Sequence, residues 1–152
     1  MSLLIDTFKM REPLIEFGES HPVMGTCAGL ILMAKRVPDE RVNPLGFLDI
    51  TVDRNAYGRQ IESKTEYVTY YFKQGTKAEL ATTLIRAPKI SSLGDSIHIL
   101  GELNGSPVAV ISKHFLGLSF HPELDKIDIF HQILFDSDSQ YYYKQLKQIN
   151  AA

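Results

Sequence analysis

The sequence predicts an α/β sandwich, and three observations carry that prediction. Helical patterns occupy both ends of the chain. Short stretches rich in β-branched residues fill the middle. A glycine-flanked junction near residue 27 joins a strand to a helix. The 152 residues suffice for one domain with a real core. With no repeat and no low-complexity linker, residues 1–152 are read as a single domain.

Taken in order, Leu3, Leu4, Phe8, Leu14, Ile15 and Phe17 form a rough helical stripe that Pro13 should bend or interrupt, and Gly18 should end it. Pro22-Val23-Met24 reads as a short strand running into Gly25-Thr26-Cys27-Ala28-Gly29. Ala28 to Arg36 follows as a helix stopped by Pro38. Phe47 to Val52, Glu66 to Phe72 and Ala81 to Ile85 read as strands. Ile97 to Leu103 and Val108 to Ile111 flank Asn104-Gly105, a pair suited to a type I′ hairpin turn. Phe115 to Ser119 is a further short strand leading into His121-Pro122-Glu123. Ile127 to Phe135 is an amphipathic helix that Tyr141 to Ile149 extends or follows.

Composition excludes several function classes. A formal net charge of −2 predicts no nucleic-acid or membrane-surface role. No apolar run approaches the length of a membrane span, and Asp6 and Lys9 interrupt the apolar stretch at the N-terminus, against a signal peptide. The single cysteine permits no internal disulfide and fits a reducing compartment, so a cytoplasmic protein is expected. No cluster has metal-ligand spacing, and His21, His98, His114 and His131 read as structural or exposed.

Two motifs carry chemistry. Gly25-Thr26-Cys27-Ala28-Gly29, at a strand-to-helix junction, has the layout of a nucleophile elbow with cysteine as the nucleophile. Small neighbours suit such a sharp turn. The thiol would lie at a helix N-terminus, where the dipole favours thiolate, and the Ala28 N–H can point at a developing oxyanion. Against this stands the ordinary fate of a free cysteine, burial as a small hydrophobe. In His121-Pro122-Glu123 the imidazole can take the thiol proton, and the carboxylate can hold its tautomer. Alone, that motif is equally a surface loop; its force comes from occurring with the elbow.

Gly25 to Leu30, together with Ser119-Phe120-His121-Pro122-Glu123-Leu124, resembles the class I glutamine amidotransferases. Asp53-Arg54-Asn55-Ala56-Tyr57-Gly58-Arg59-Gln60, Ile85-Arg86-Ala87-Pro88 and Phe115 to Ser119 narrow the resemblance to the glutaminase subunits of pyridoxal 5′-phosphate synthase. The resemblance implies a three-layer α/β/α sandwich that hydrolyses L-glutamine without a cofactor and delivers ammonia to a separate synthase (lyase) subunit. It implies Cys27, His121 and Glu123 as the triad, Ala28 as an oxyanion donor, and Arg54, Ile85 and Arg86 as substrate contacts. Read without the resemblance, each arginine is equally a solvated charge, although a guanidinium suits a substrate carboxylate.

Family members carry a strand, a helix, a second strand and a Gly-Gly-Glu-Ser loop ahead of the segment with which this sequence opens. The resemblance therefore implies an incomplete domain whose Cys27 strand is left at an unpaired edge. Gly18-Glu19-Ser20 lies on the wrong side of the first helix to replace that loop. The alternative expectation is a catalytically silent homologue that retains, at most, synthase-subunit binding.

Overall fold

The computed structural model describes residues 1–54, 63–72, 75 and 77–143. In chain order the elements are α1 (Ser2–Thr7), α2 (Arg11–Ser20), β1 (Val23–Thr26), α3 (Ala28–Met33), β2 (Ala34–Arg36), β3 (Leu48–Asp53), β4 (Lys64–Tyr71), β5 (Lys77–Leu84), β6 (Lys89–Leu93), β7 (His98–Leu103), β8 (Ser106–Ser112) and β9 (Phe115–Leu118). A short 3-10 helix (Pro122–Asp125) and α4 (Ile129–Phe135) complete them.

Six strands form one mixed sheet in the order β1-β9-β8-β7-β4-β5, and β2, β3 and β6 form a second, smaller sheet. Within the large sheet β1 runs parallel to β9, while the other pairings are antiparallel. Period-two alternation sends side chains to opposite faces. Ala109, Ile111, Leu116 and Leu118 join Phe120 and the α4 residues Phe130, Ile133 and Leu134 in one core. Val110 faces the other way, into a core with Leu30 and Met33 of α3 and with Leu48, Ile50, Val52 and Ile90 of the small sheet. Gly117 shares that second face: a Cβ there would lie 2.5 Å from a Leu30 methyl. The molecule is thus the expected layered α/β fold, with one outer layer built from α3 and a three-stranded sheet together. As expected, β1 lies at an edge of its sheet.

Three local expectations are corrected. The first helical stripe breaks at Lys9, which turns to φ 54°, and not at Pro13. Pro13 falls in the first turn of α2, where no acceptor waits for the N–H it lacks. The helix expected to reach Arg36 ends at Met33. From Ala34, fully buried, the chain instead pairs with Leu48 of β3, tertiary pairing outweighing helix propensity. Strand β6 was not expected: only Ile90 of its five residues faces inward, leaving no alternation to read. The hairpin is as read, with Asn104 and Gly105 at φ 51° and 74°, the positive pair a type I′ turn demands. Most of the expected helix over 141–149 lies outside the described residues, as does the Arg-Asn motif beyond Arg54. No described helix is long and apolar enough to cross a membrane.

Candidate active site

The parallel pair β1–β9 builds the site. Thr26 is in register with Leu118, so both strands end together. Cys27 leaves β1 at that level and His121 follows β9 three residues on. Neighbouring strands lie about 4.8 Å apart, so the segments carrying Cys27 and His121 both start from the carboxyl ends of adjacent parallel strands, where open α/β sheets place their ligands. The Cys27 N–H donates to the Leu118 carbonyl at 2.8 Å, pinning the elbow to β9.

Cys27 adopts φ 48°, ψ −102°, a region costly for a side-chain-bearing residue and held only by its surroundings. Gly25 is what permits it. A Cβ at Gly25 would meet the Met33 sulfur at 2.5 Å and the Gly29 carbonyl carbon and oxygen at 2.7 and 2.8 Å. Gly29 is different: a Cβ there meets open space, so only its backbone, as Gly25's close neighbour, is used. Of the small neighbours expected to suit the turn, Gly25 is sterically required and Gly29 is not.

The thiol is half-buried, and its pKa lies above the ordinary thiol range. Burial is the main cause, and the Glu123 charge adds to it, while a hydrogen bond from the Ala28 N–H pulls the other way. The helix terminus was expected to favour thiolate, and burial outweighs it. The Ala28 N–H acts locally as foreseen, but α3 is only six residues long and desolvation wins.

His121 Nδ1 and Glu123 Oε1 are 2.7 Å apart. With the Nδ1 proton donated to the carboxylate, Nε2 carries the lone pair needed to accept a thiol proton. Burial pushes the Glu123 carboxyl up, but its own backbone N–H, the His121 hydrogen bond and the charges of His121 and His131 outweigh it, so the net shift is downward. Glu123 thus remains the ionised partner of the ring.

Sequence reasoning missed the device that holds this segment. Asp125, at the end of the 3-10 helix, accepts the Thr83 N–H at 2.6 Å and the Thr83 hydroxyl at 2.7 Å. This clamps the chain just beyond His121 and Glu123 onto β5, the far edge of the sheet, which Ile85 and Arg86 follow. Ile85 is exposed, and Arg86 turns at φ 47°. Arg54 lies past β3 and, with Ala28, Ile31 and Leu32, lines a cavity of about 110 Å³. Its Nη1 donates to Asp39 Oδ2 at 3.1 Å. Nothing in the sequence marks either aspartate, because Arg54 is 15 residues from Asp39 and Thr83 is 42 from Asp125.

The remaining histidines hold no common site. His114 is buried and donates from Nε2 to the Gly18 carbonyl at 2.6 Å, giving Gly18-Glu19-Ser20 a structural neighbour. His21 stacks on Phe17, and His98 and His131 are exposed. Among the described residues no group of three His, Cys, Asp or Glu side chains could hold a metal.

Residues 1–137 match the SNO glutamine amidotransferase family. The chain is 46% identical over 133 residues to the pyridoxal 5′-phosphate synthase subunit PdxT of Shouchella clausii, covering 87% of this chain and 67% of that one. It is 44% identical over 125 residues to the protein of the same name from Bacillus licheniformis, covering 82% and 62%. It also matches a crystal structure of a glutamine amidotransferase with a TM-score of 0.78 at 32% identity, covering 89% of this chain and 71% of that one. The chain therefore spans about two thirds or less of the length of these curated relatives.

Proposed function

The chain belongs to the SNO glutamine amidotransferase family, and from that premise we propose that it hydrolyses the side-chain amide of L-glutamine and passes the ammonia to a separate pyridoxal 5′-phosphate synthase subunit, in the cytoplasm. The observation that supports the proposal is the parallel β1–β9 pair: Cys27 leaves the end of β1 in a strained turn, the hydrogen-bonded His121–Glu123 couple follows β9, and the Glu123 charge acts on the thiol.

In this mechanism His121 Nε2 takes the Cys27 proton as the sulfur attacks the amide carbon. Glu123 stabilises the imidazolium that forms, and the Ala28 N–H faces the tetrahedral oxyanion. Collapse breaks the C–N bond, and His121 returns its proton to the departing nitrogen, releasing ammonia. Water, deprotonated by the same ring, then cleaves the thioester to glutamate and restores the thiol. Burial makes the thiol a poorer anion, so transfer to His121 matters more here than a pre-formed thiolate. Arg54 and the Ile85–Arg86 pair would receive the backbone end of the substrate, the guanidinium groups matching its α-carboxylate.

The raised thiol also favours the second reading, a silent homologue that only binds the synthase subunit. A glutaminase assay with and without that subunit separates the two. Ammonia release that needs Cys27 supports catalysis. No release under either condition, with the subunit still bound, supports the silent reading.

A further inference from the structure

Arg54, the charged residue lining the cavity beside Ala28, has a partner that the sequence did not single out. Asp39 keeps only 10% of its side-chain surface exposed, and three donors converge on it besides Arg54. Its Oδ1 accepts from the Arg41 N–H at 3.1 Å and from Arg41 Nε at 2.9 Å, and its Oδ2 accepts from Arg41 Nη2 at 2.8 Å. The turn itself is closed by Val42 N–H donating to the Asp39 carbonyl at 2.9 Å. The carboxylate is thus held at both oxygens by the Arg41 guanidinium, besides its contact with Arg54.

Arg54 follows β3 on an exposed loop, where a long cationic side chain would ordinarily sample many rotamers. Its one hydrogen bond among the described residues is Nη1 to Asp39 Oδ2. That contact is single, not a two-pronged fork, and among the described residues no acceptor meets Nε or Nη2. The trio Arg41, Asp39 and Arg54 has a net charge of +1, which attracts an anion. The Arg41 hydrogen bonds hold the Asp39 carboxyl well below the usual carboxylate range, so the anchor stays ionised at any working pH.

We infer that Asp39 is a positioning residue: its carboxylate aims Arg54 at the cavity lined by Ala28, the residue after Cys27, so that the remaining guanidinium donors receive the α-carboxylate of an amino-acid substrate. The inference rests on the proposed role of Arg54 and adds the group that makes that role geometric. A carboxylate that filled the fork would compete with substrate; one that holds a single corner orients it.

The test uses the full chain and the alkylation of Cys27, which reads the site without requiring turnover. Two reagents are compared: the glutamine-shaped diazoketone 6-diazo-5-oxo-L-norleucine, which carries the α-carboxylate, and iodoacetamide, which does not. The readout is the ratio of their rate constants, so a general loss of folded protein or thiol reactivity cancels. Arg54→Gln and Asp39→Asn are each expected to lower the ratio about tenfold, the size of effect that modest misplacement of a binding group produces. Asp39→Glu, which keeps the charge, should recover most of it, and Arg41→Gln should lower it by a smaller factor. A ratio that falls in Arg54→Gln but stays at the parent value in Asp39→Asn overturns the positioning role while leaving Arg54 in the site. A ratio that rises in Asp39→Asn overturns it as well, since Asp39 would then be a competitor. If Arg54→Gln leaves the ratio unchanged, the role of Arg54 and the inference fall together.

Discussion

Asp125→Ala tests how the site is held. The side chain is partly exposed and makes two hydrogen bonds to Thr83, at 2.6 and 2.7 Å. Bonds to an ionised acceptor are worth about 1.5–3 kcal/mol each when buried. Here β5 is a sheet edge, so water can reach the freed Thr83 N–H and no orphaned donor is left behind. The combined loss should therefore be only about 1–2 kcal/mol. For a chain of this size that corresponds to a fall in melting temperature of about 3–6 °C. The functional loss should be larger than the stability loss suggests. Releasing Asp125 frees the segment that carries His121 and Glu123, and labelling of Cys27 by the glutamine-shaped diazoketone should slow about tenfold. Thr83→Val keeps the backbone donor and removes only the hydroxyl, so it should give roughly half the thermal effect. In the double variant the two losses should not add, because they share one interaction. Melting within 1 °C of the parent (about 0.3 kcal/mol by the same conversion), with labelling unchanged, would refute the clamp.

Gly25→Ala drives a methyl into Met33 and the Gly29 backbone; it should cost about 3 kcal/mol, seen as a melting temperature about 6–12 °C lower, with Cys27 labelling abolished or nearly so. Cys27→Gly relieves a positive φ at the nucleophile; it should eliminate labelling yet raise stability by about 1 kcal/mol, measured by denaturant unfolding. The pKa of Cys27 is raised, so the thiolate fraction at neutral pH is below that of an ordinary cysteine. Iodoacetamide labelling should accordingly climb with pH through an inflection above the ordinary thiol value of about 8.5. Glu123→Gln removes a negative charge that raises that pKa and should move the inflection down. Glu123 itself has a depressed pKa, so its contribution to stability is present above the ordinary carboxylate range and is lost as pH falls through its folded value. The parent and Glu123→Gln should therefore converge in stability at acid pH.

Much of the site was legible because its signals are local. A glycine before the nucleophile, a strand running into it and a His-Pro-Glu segment after another strand are each written within a few residues, and each falls where expected. The Asn104-Gly105 turn was readable for the same reason: two positive φ angles demand those residue types. What escaped was set by contacts distant in sequence. Ala34–Arg36 leave the helix because Leu48 offers a partner, and Asp39 and Asp125 acquire their roles from Arg54 and Thr83. The thiol's raised pKa escaped too, since burial depends on the whole packing around it and not on the helix that starts there.

The β1–β9 pairing has a consequence for how the molecule assembles. The strand pairs β4–β5, β7–β8 and β8–β9 each join segments close in the chain and close small loops. Val23 and Phe115, by contrast, are about 90 residues apart, and loop-closure entropy makes joining them roughly 2–3 kcal/mol more costly than closing a tight hairpin. Hairpins therefore form early, and the segments carrying Cys27 and His121 come together only when the longest loop in the large sheet closes. A nascent chain carries Cys27 long before it carries His121. Until β9 has emerged and docked on β1, the thiol is an ordinary side chain, and the proposed catalytic couple comes into being late in folding.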